Sequence, residues 1–307
     1  MLDQPWPELH LNNANDTYPE GQHNVPFFPL LAYVVVQFSL AIFLFHWVAP
    51  ATFAAELKRP LMIPIWALLF GLPLSLFEYL YHRYLLHSAV LPFLRPMHKA
   101  HSHHHGLTAV KASVTPKEPA RLVPVDNEYA VEAHSQEEDM MFPIYSLAIF
   151  LALFTVTLGL PFKFLFPHQP VMIGLMISVA LYYSAYEFWH AVMHLPFEHF
   201  WKPAMEKKTV GNTVKFVSSF HLMHHWRPTS NLAVVGLWGY ALWDHVFGTH
   251  HRPKNTPLVG TQVNYFDADL AKPRWPITAI DQSQPKLYTW SRKIEQTFAK
   301  MFLGKPK

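Results

Sequence analysis

Four short stretches of this 307-residue chain are crowded with histidine: HRYLLH (His82 and His87), HKAHSHHHG (His98 to Gly106), HAVMH (His190 and His194) and HLMHH (His221, His224 and His225). Imidazole is both a titrating group and the commonest metal ligand, and spacing separates the two uses. Residues three or four apart share one face of a helix, whereas neighbours diverge by about 100°. His190 and His194 can therefore reach one metal. His221 with His224 or His225 repeats the arrangement, and an adjacent pair can splay toward two metals. His82 and His87, five apart, need a wider site or a fraying helix end. Taking HLMHH as the pattern selects His101, His104 and His105 from the second stretch and leaves His98 and His103 out of register. A lone HxxxH is more often core packing or chance. Ten imidazoles in two similar halves of five are too many for one ion and suit two first-row metals.

Something must carry these clusters to one place. Four apolar stretches approach the roughly 20 residues that cross a bilayer: residues 27–49, 61–80, 142–162 and 171–186. The second and fourth run directly into HRYLLH and HAVMH. The links 50–60 and 163–170 are short and read as hairpin turns. Residues 1–26, 81–141 and 187–307 then lie on one side, with every histidine cluster. Lys58, Arg59 and Lys163 are the cations of the short turns, while the long segments hold many more, so the positive-inside bias puts the long segments in the cytoplasm. The first stretch follows a mostly polar segment without a basic start, which is not the pattern of a signal peptide. The expectation is a single all-α integral membrane domain, with four transmembrane helices and a cytosolic helical cap holding a histidine-rich dimetal site. The alternative is a soluble all-α protein that buries the same helices.

Composition agrees with partial immersion. Apolar residues make up 51% and charged residues 15%, against the roughly 25% charged usual in soluble domains. The net charge of +3 is small and dispersed, which gives no footing for nucleic acid. With no cysteine, thiolate ligands, disulfides and a catalytic thiol are excluded, and any metal must be held by nitrogen and oxygen.

In order along the chain, EYLYHRYLLH, HSHHHG, YEFWHAVMH, FHLMHHWRPTSN and WDHVFGT resemble the fatty acid hydroxylase and sterol desaturase superfamily of membrane di-iron oxygenases, over roughly Leu61 to His250. The resemblance implies two ferrous ions, which zinc can replace on purification, and O2 as co-substrate. It implies the ligands His82, His87, His101, His104, His105, His190, His194, His221, His224 and His225. Glu78, Glu187, Asn231 and Asp244 gain a supporting role, since a ligating imidazole usually donates its other N–H to an oxygen. His98, His103, His245 and His250 lie near enough to share it. His46 suits a membrane interface, and His10, His23, His134, His168, His199 and His251 read as loop or surface residues. No side chain beyond the metal ligands is expected to be catalytic. The implied reaction is hydroxylation of an unactivated C–H bond in a fatty-acyl, sphingolipid or sterol-like lipid, with electrons from a separate ferredoxin or cytochrome b-type protein and its reductase.

Two rivals use the same residues. Desaturation follows if a second hydrogen is lost before oxygen is transferred. A histidine-rich metal transporter, or a metal-binding protein, would need ionisable groups along the spans, yet Glu78 and Glu187 fall at the span ends.

Overall fold

The computed structural model describes residues 27–88, 90–91, 95–107, 122–124, 140–252, 261–264 and 272–303. Expectations for residues 1–26, for His10, His23 and His134, and for most of the loop after Gly106 fall outside them. Among the described residues the regular structure is helical, apart from one antiparallel pair of three-residue strands, Leu122–Pro124 with Gln262–Asn264.

Four helical segments are long and apolar enough to cross a membrane: Phe27–Val48 (α1), Met62–Leu86, Ser146–Leu165 and Val171–Met193. The second is α3 (Met62–Tyr81) continued by a π-helical turn, His82–Leu86. The third joins α5 (Ser146–Phe154) to α6 (Leu160–Leu165) through a π-helical turn at Thr155–Gly159. The fourth, α7, runs on to Met193, seven residues beyond the apolar stretch, so His190 stands on the same rigid rod as the span. Only 11% of the most apolar window of α1 and 22% of that of the third segment is buried. Val36, Phe43, Leu68 and Val156 all face outward. A soluble bundle would have covered such faces.

The fourth helix is the hub, buried along most of its length against the second. Its start is fixed by Glu56 of α2 (Pro50–Leu57), whose carboxylate accepts the N–H groups of Met172 (3.2 Å) and Ile173 (2.9 Å) and pairs with Lys163 at 2.7 Å. An anion at a helix N-terminus is favoured by the unsatisfied N–H groups there. Both short turns thus meet at one end of the bundle. From Val171 to His190 the helix rises roughly 29 Å at 1.5 Å per residue, so the histidines occupy the other end.

The remaining helices gather at that end: α4 (Arg95–Leu107), α8 (Lys202–Met205), α9 (Gly211–Trp226), α10 (Leu242–Phe247) and α11 (Ile277–Leu303). The last is tied back to the first histidine segment. Asp281 accepts from Arg83 (2.6 Å) and Tyr84 (3.0 Å), and Glu295 pairs with Arg95 at 2.6 Å.

One segment departs from the sequence reading of 187–307 as chain outside the bundle. Residues 233–240 are non-helical and run back between the second and fourth helices. Trp238 donates its indole N–H to Leu68 O (3.0 Å), nearer the start of the second helix than its histidine end. Its ring fills the space beside Gly71, where a Cβ would lie 2.1 Å from Trp238 Nε1. Irregular backbone at such depth survives only where its polar groups are paired. Glu78 pairs them, accepting from the N–H groups of Val234 (2.7 Å), Val235 (2.8 Å) and Gly236 (2.8 Å).

Candidate metal centre

All ten selected histidines meet at this end of the bundle, nine of them buried and His87 nearly so. The five-residue spacing of His82 and His87 is resolved by the π-helical turn between them, in which His87 N–H reaches His82 O at 3.2 Å. An α-helix would leave the two side chains roughly 140° apart. The wider turn stacks their rings at 5.1 Å with planes 21° apart. His101, His104 and His105 share α4, and His221, His224 and His225 share α9, each at its helix's C-terminal end.

The imidazoles sort into two groups whose candidate ligand atoms lie within 4.8 Å of one another. The first holds His82, His87, His101, His105 and His224; the second holds His104, His190, His194 and His225. The halves therefore interchange members. His104 of the first half joins the second group, and His224 of the second half joins the first. Both adjacent pairs, His104 with His105 and His224 with His225, are split between groups. His221 stands beside the second group, its Nε2 3.3 Å from that of His194 and its ring 4.9 Å from that of His225.

The inward nitrogens of the first group form a chain: His82 Nε2 to His101 Nε2 at 3.2 Å, His101 to His87 at 3.1 Å, and His87 to His224 at 3.2 Å. Nitrogens about 2.1 Å from a shared metal lie roughly 3.0 Å apart in an octahedron and 3.4 Å in a tetrahedron. The observed separations fall in that interval. Tautomers agree. His82 Nδ1 faces Leu232 O (2.5 Å), His224 Nδ1 faces Ser230 O (2.9 Å) and His190 Nδ1 faces Met140 O (3.3 Å). A carbonyl can only accept, so each Nδ1 carries the proton and each Nε2 presents a lone pair. The Nε2 of His190 and both ring nitrogens of His105 are buried with no hydrogen-bond partner among the described residues, a costly condition that a cation would relieve. Burial first, and then the neighbouring imidazoles, push His87, His101, His104, His105, His221 and His225 well below the ordinary imidazole value. Neutral rings are the form that binds metal. The donor set, all nitrogen, fits two first-row divalent ions.

None of the four supporting residues bonds an imidazole ring among the described residues; they hold the backbone that does. Asp244 accepts from Leu232 N–H and Ala233 N–H, both at 2.9 Å, and from Thr249 Oγ1 at 2.7 Å. Asn231, left-handed at φ 51°, donates to Phe220 O and His251 O. With Glu78 they fix residues 230–236, whose carbonyls at Ser230 and Leu232 orient His224 and His82. Glu187 accepts Phe142 N–H at 3.2 Å, two residues from the Met140 carbonyl that orients His190. Sequence reasoning missed those three carbonyls, which carry no side-chain signal, and also Tyr182, whose hydroxyl joins Glu78 to Gly236 O.

The other described histidines stay outside both groups. His98 bonds Leu86 O at 2.7 Å, bracing α4 against the π-helical turn. His103 is half-buried, His245 and His250 stack on each other at 4.0 Å, and His46, His168 and His199 are exposed, while His251 is half-buried rather than on the surface. A narrow apolar cavity between the second, third and fourth segments, walled by Phe77, Tyr81, Phe150 and Phe154, ends on Glu78 and His82. Comparison with protein-family models, curated proteins and solved structures gives no match.

Proposed function

We propose that this chain is an integral membrane lipid hydroxylase whose ten histidines hold two iron ions, as the motif order resembling the fatty acid hydroxylase and sterol desaturase superfamily implies. The observation that carries the reading is the sorting of adjacent histidines into two groups with inward Nε2 lone pairs. When bound, two ferrous ions would supply the reduction of O2 and the oxidation of an unactivated C–H bond. Histidine ligation also suits zinc, which would replace iron without supporting redox chemistry.

The protein's own part is positioning and exclusion of water. Carbonyls of Ser230, Leu232 and Met140 fix the ring tautomers, and the carboxylates behind them keep those carbonyls in place. The aromatic walls of the cavity ending at His82 suit an alkyl chain and repel water. Desaturation would use the same residues. A transport path is less supported, because Glu78 spends its carboxylate on three backbone N–H groups and Glu56 is committed to the far turn. In this reading the histidine end is a cytosolic cap, on the side where the long Lys- and Arg-bearing segments lie. It receives electrons there from a ferredoxin or cytochrome b-type protein and its reductase.

The test is mass spectrometry of total lipids from cells expressing wild type or His224→Ala, grown with and without oxygen. A lipid heavier by one oxygen, only with wild type and only in air, is expected. Loss of two hydrogens would select desaturation instead, and unchanged lipids with folded, iron-loaded protein and a working redox partner would reject the oxygenase.

A further inference from the structure

A second and larger cavity lies apart from the histidine groups. It is a groove of about 430 Å³, against about 60 Å³ for the one ending at His82. One wall is the outer side of the fourth helix, at Ala185 and Phe188; the others are Val217 of α9 and the re-entrant residues Trp238 to Tyr240. Phe188 and Tyr240 are exposed, and Trp238 reaches the second span, so the groove opens where a bilayer's acyl chains lie.

Its upper end is of different character. His245 and His250 line the groove and also a polar recess completed by Lys272 and Arg274. Both cations are exposed and neither pairs with a carboxylate among the described residues; Arg274 contacts the carbonyls of His245 and Val246. Arg252 lies 5.3 Å over the ring of Phe216, on the same rim. The one carboxylate in the recess, Asp244, is fully buried and occupied by Leu232, Ala233 and Thr249. His250 Nε2 is buried with no hydrogen-bond partner among the described residues. An apolar groove open to lipid that ends in unpaired cations and a free donor or acceptor is complementary to an amphiphile with an anionic head.

We propose that the groove and the recess form one binding site for an anionic membrane phospholipid, its acyl chain between Phe188, Val217 and Tyr240 and its phosphate between Lys272, Arg274 and His250. The site does not depend on the metal reading, because none of the ten histidines lines it.

The experiment is native mass spectrometry of the full-length protein in detergent, titrated with palmitoyl-oleoyl phosphatidylglycerol or the matching phosphatidylcholine. Wild type should retain the phosphatidylglycerol about tenfold more tightly, the scale set by one or two surface cations near a phosphate. Lys272→Glu with Arg274→Glu should erase the preference, and Ala185→Phe, which narrows the groove, should weaken both lipids. Raising salt should lower the wild-type preference, a readout that needs no variant. Equal retention of the two lipids by wild type, a preference insensitive to salt, or one that survives the double charge reversal in folded protein would overturn the site.

Discussion

His105 and His225 stack face to face, ring centroids 4.0 Å apart and planes 10° from parallel, although each belongs to a different group of imidazoles. They form the partition between the two groups. His105→Ala removes a donor from the first group and leaves the second intact. The metal of the first group should then be held at least about 10–100-fold more weakly, since that is the scale for losing only an outer partner that orients a ligand. Chelator challenge followed by metal analysis should show one ion leaving early and one retained at the wild-type rate.

Glu78 offers a test of the scaffold. Glu78→Gln keeps the size but puts an N–H₂ group in place of one carboxylate oxygen, so either the Val234 and Val235 N–H groups or the Gly236 N–H and the Tyr182 hydroxyl lose their acceptor. A loss of about 3 kcal/mol is expected for leaving buried N–H groups without their acceptor, read as a lower thermal midpoint. Because the same backbone supplies the Leu232 carbonyl to His82, metal retention should fall with it.

Acid should release metal and weaken the metal-free protein. His87, His101, His104, His105, His221 and His225 are all held well below 6.5 by burial and by one another. Below pH 6.5 the unfolded chain therefore binds more protons than the folded one, so stability rises with pH up to that value and is lost as pH falls. Thermal melts of metal-free protein between pH 5 and 8, using about 6.5 as the imidazole reference, should show the midpoint falling as the pH drops below that value. A flat profile would mean that the rings are not buried together.

The re-entrant segment depends on close approach. Gly71→Ala places a methyl group 2.1 Å from Trp238 Nε1 and should expel the indole from its bond to Leu68 O. Overpacking of this kind costs about 1–3 kcal/mol. A thermal midpoint equal to wild type would show that residues 233–240 do not occupy this position.

The legibility of the chain divides along physical lines. The spans were readable because lipid-facing helices are apolar over a fixed length, and eight of the ten histidines because helical spacing places them on shared faces. What spacing left open was which ring joins which group. The exchange of His104 and His224 depends on how α4 and α9 pack against the two histidine-bearing spans, which no local period encodes. His82 and His87 needed a π-helical turn that the residues HRYLL do not announce. The acidic residues were found, but their role was not: Glu78 and Asp244 hold backbone N–H groups of residues 232–236, and a chain that doubles back into the bundle is invisible to hydropathy.

The most direct test is the metal content of full-length, iron-supplied protein, counted per chain by elemental analysis. Wild type should hold two ions. His82→Ala with His224→Ala should hold one, and His190→Ala with His194→Ala should also hold one, since each pair lies within one group. A wild type holding a single ion or none, or a folded paired variant that still holds two, would contradict the two-metal centre.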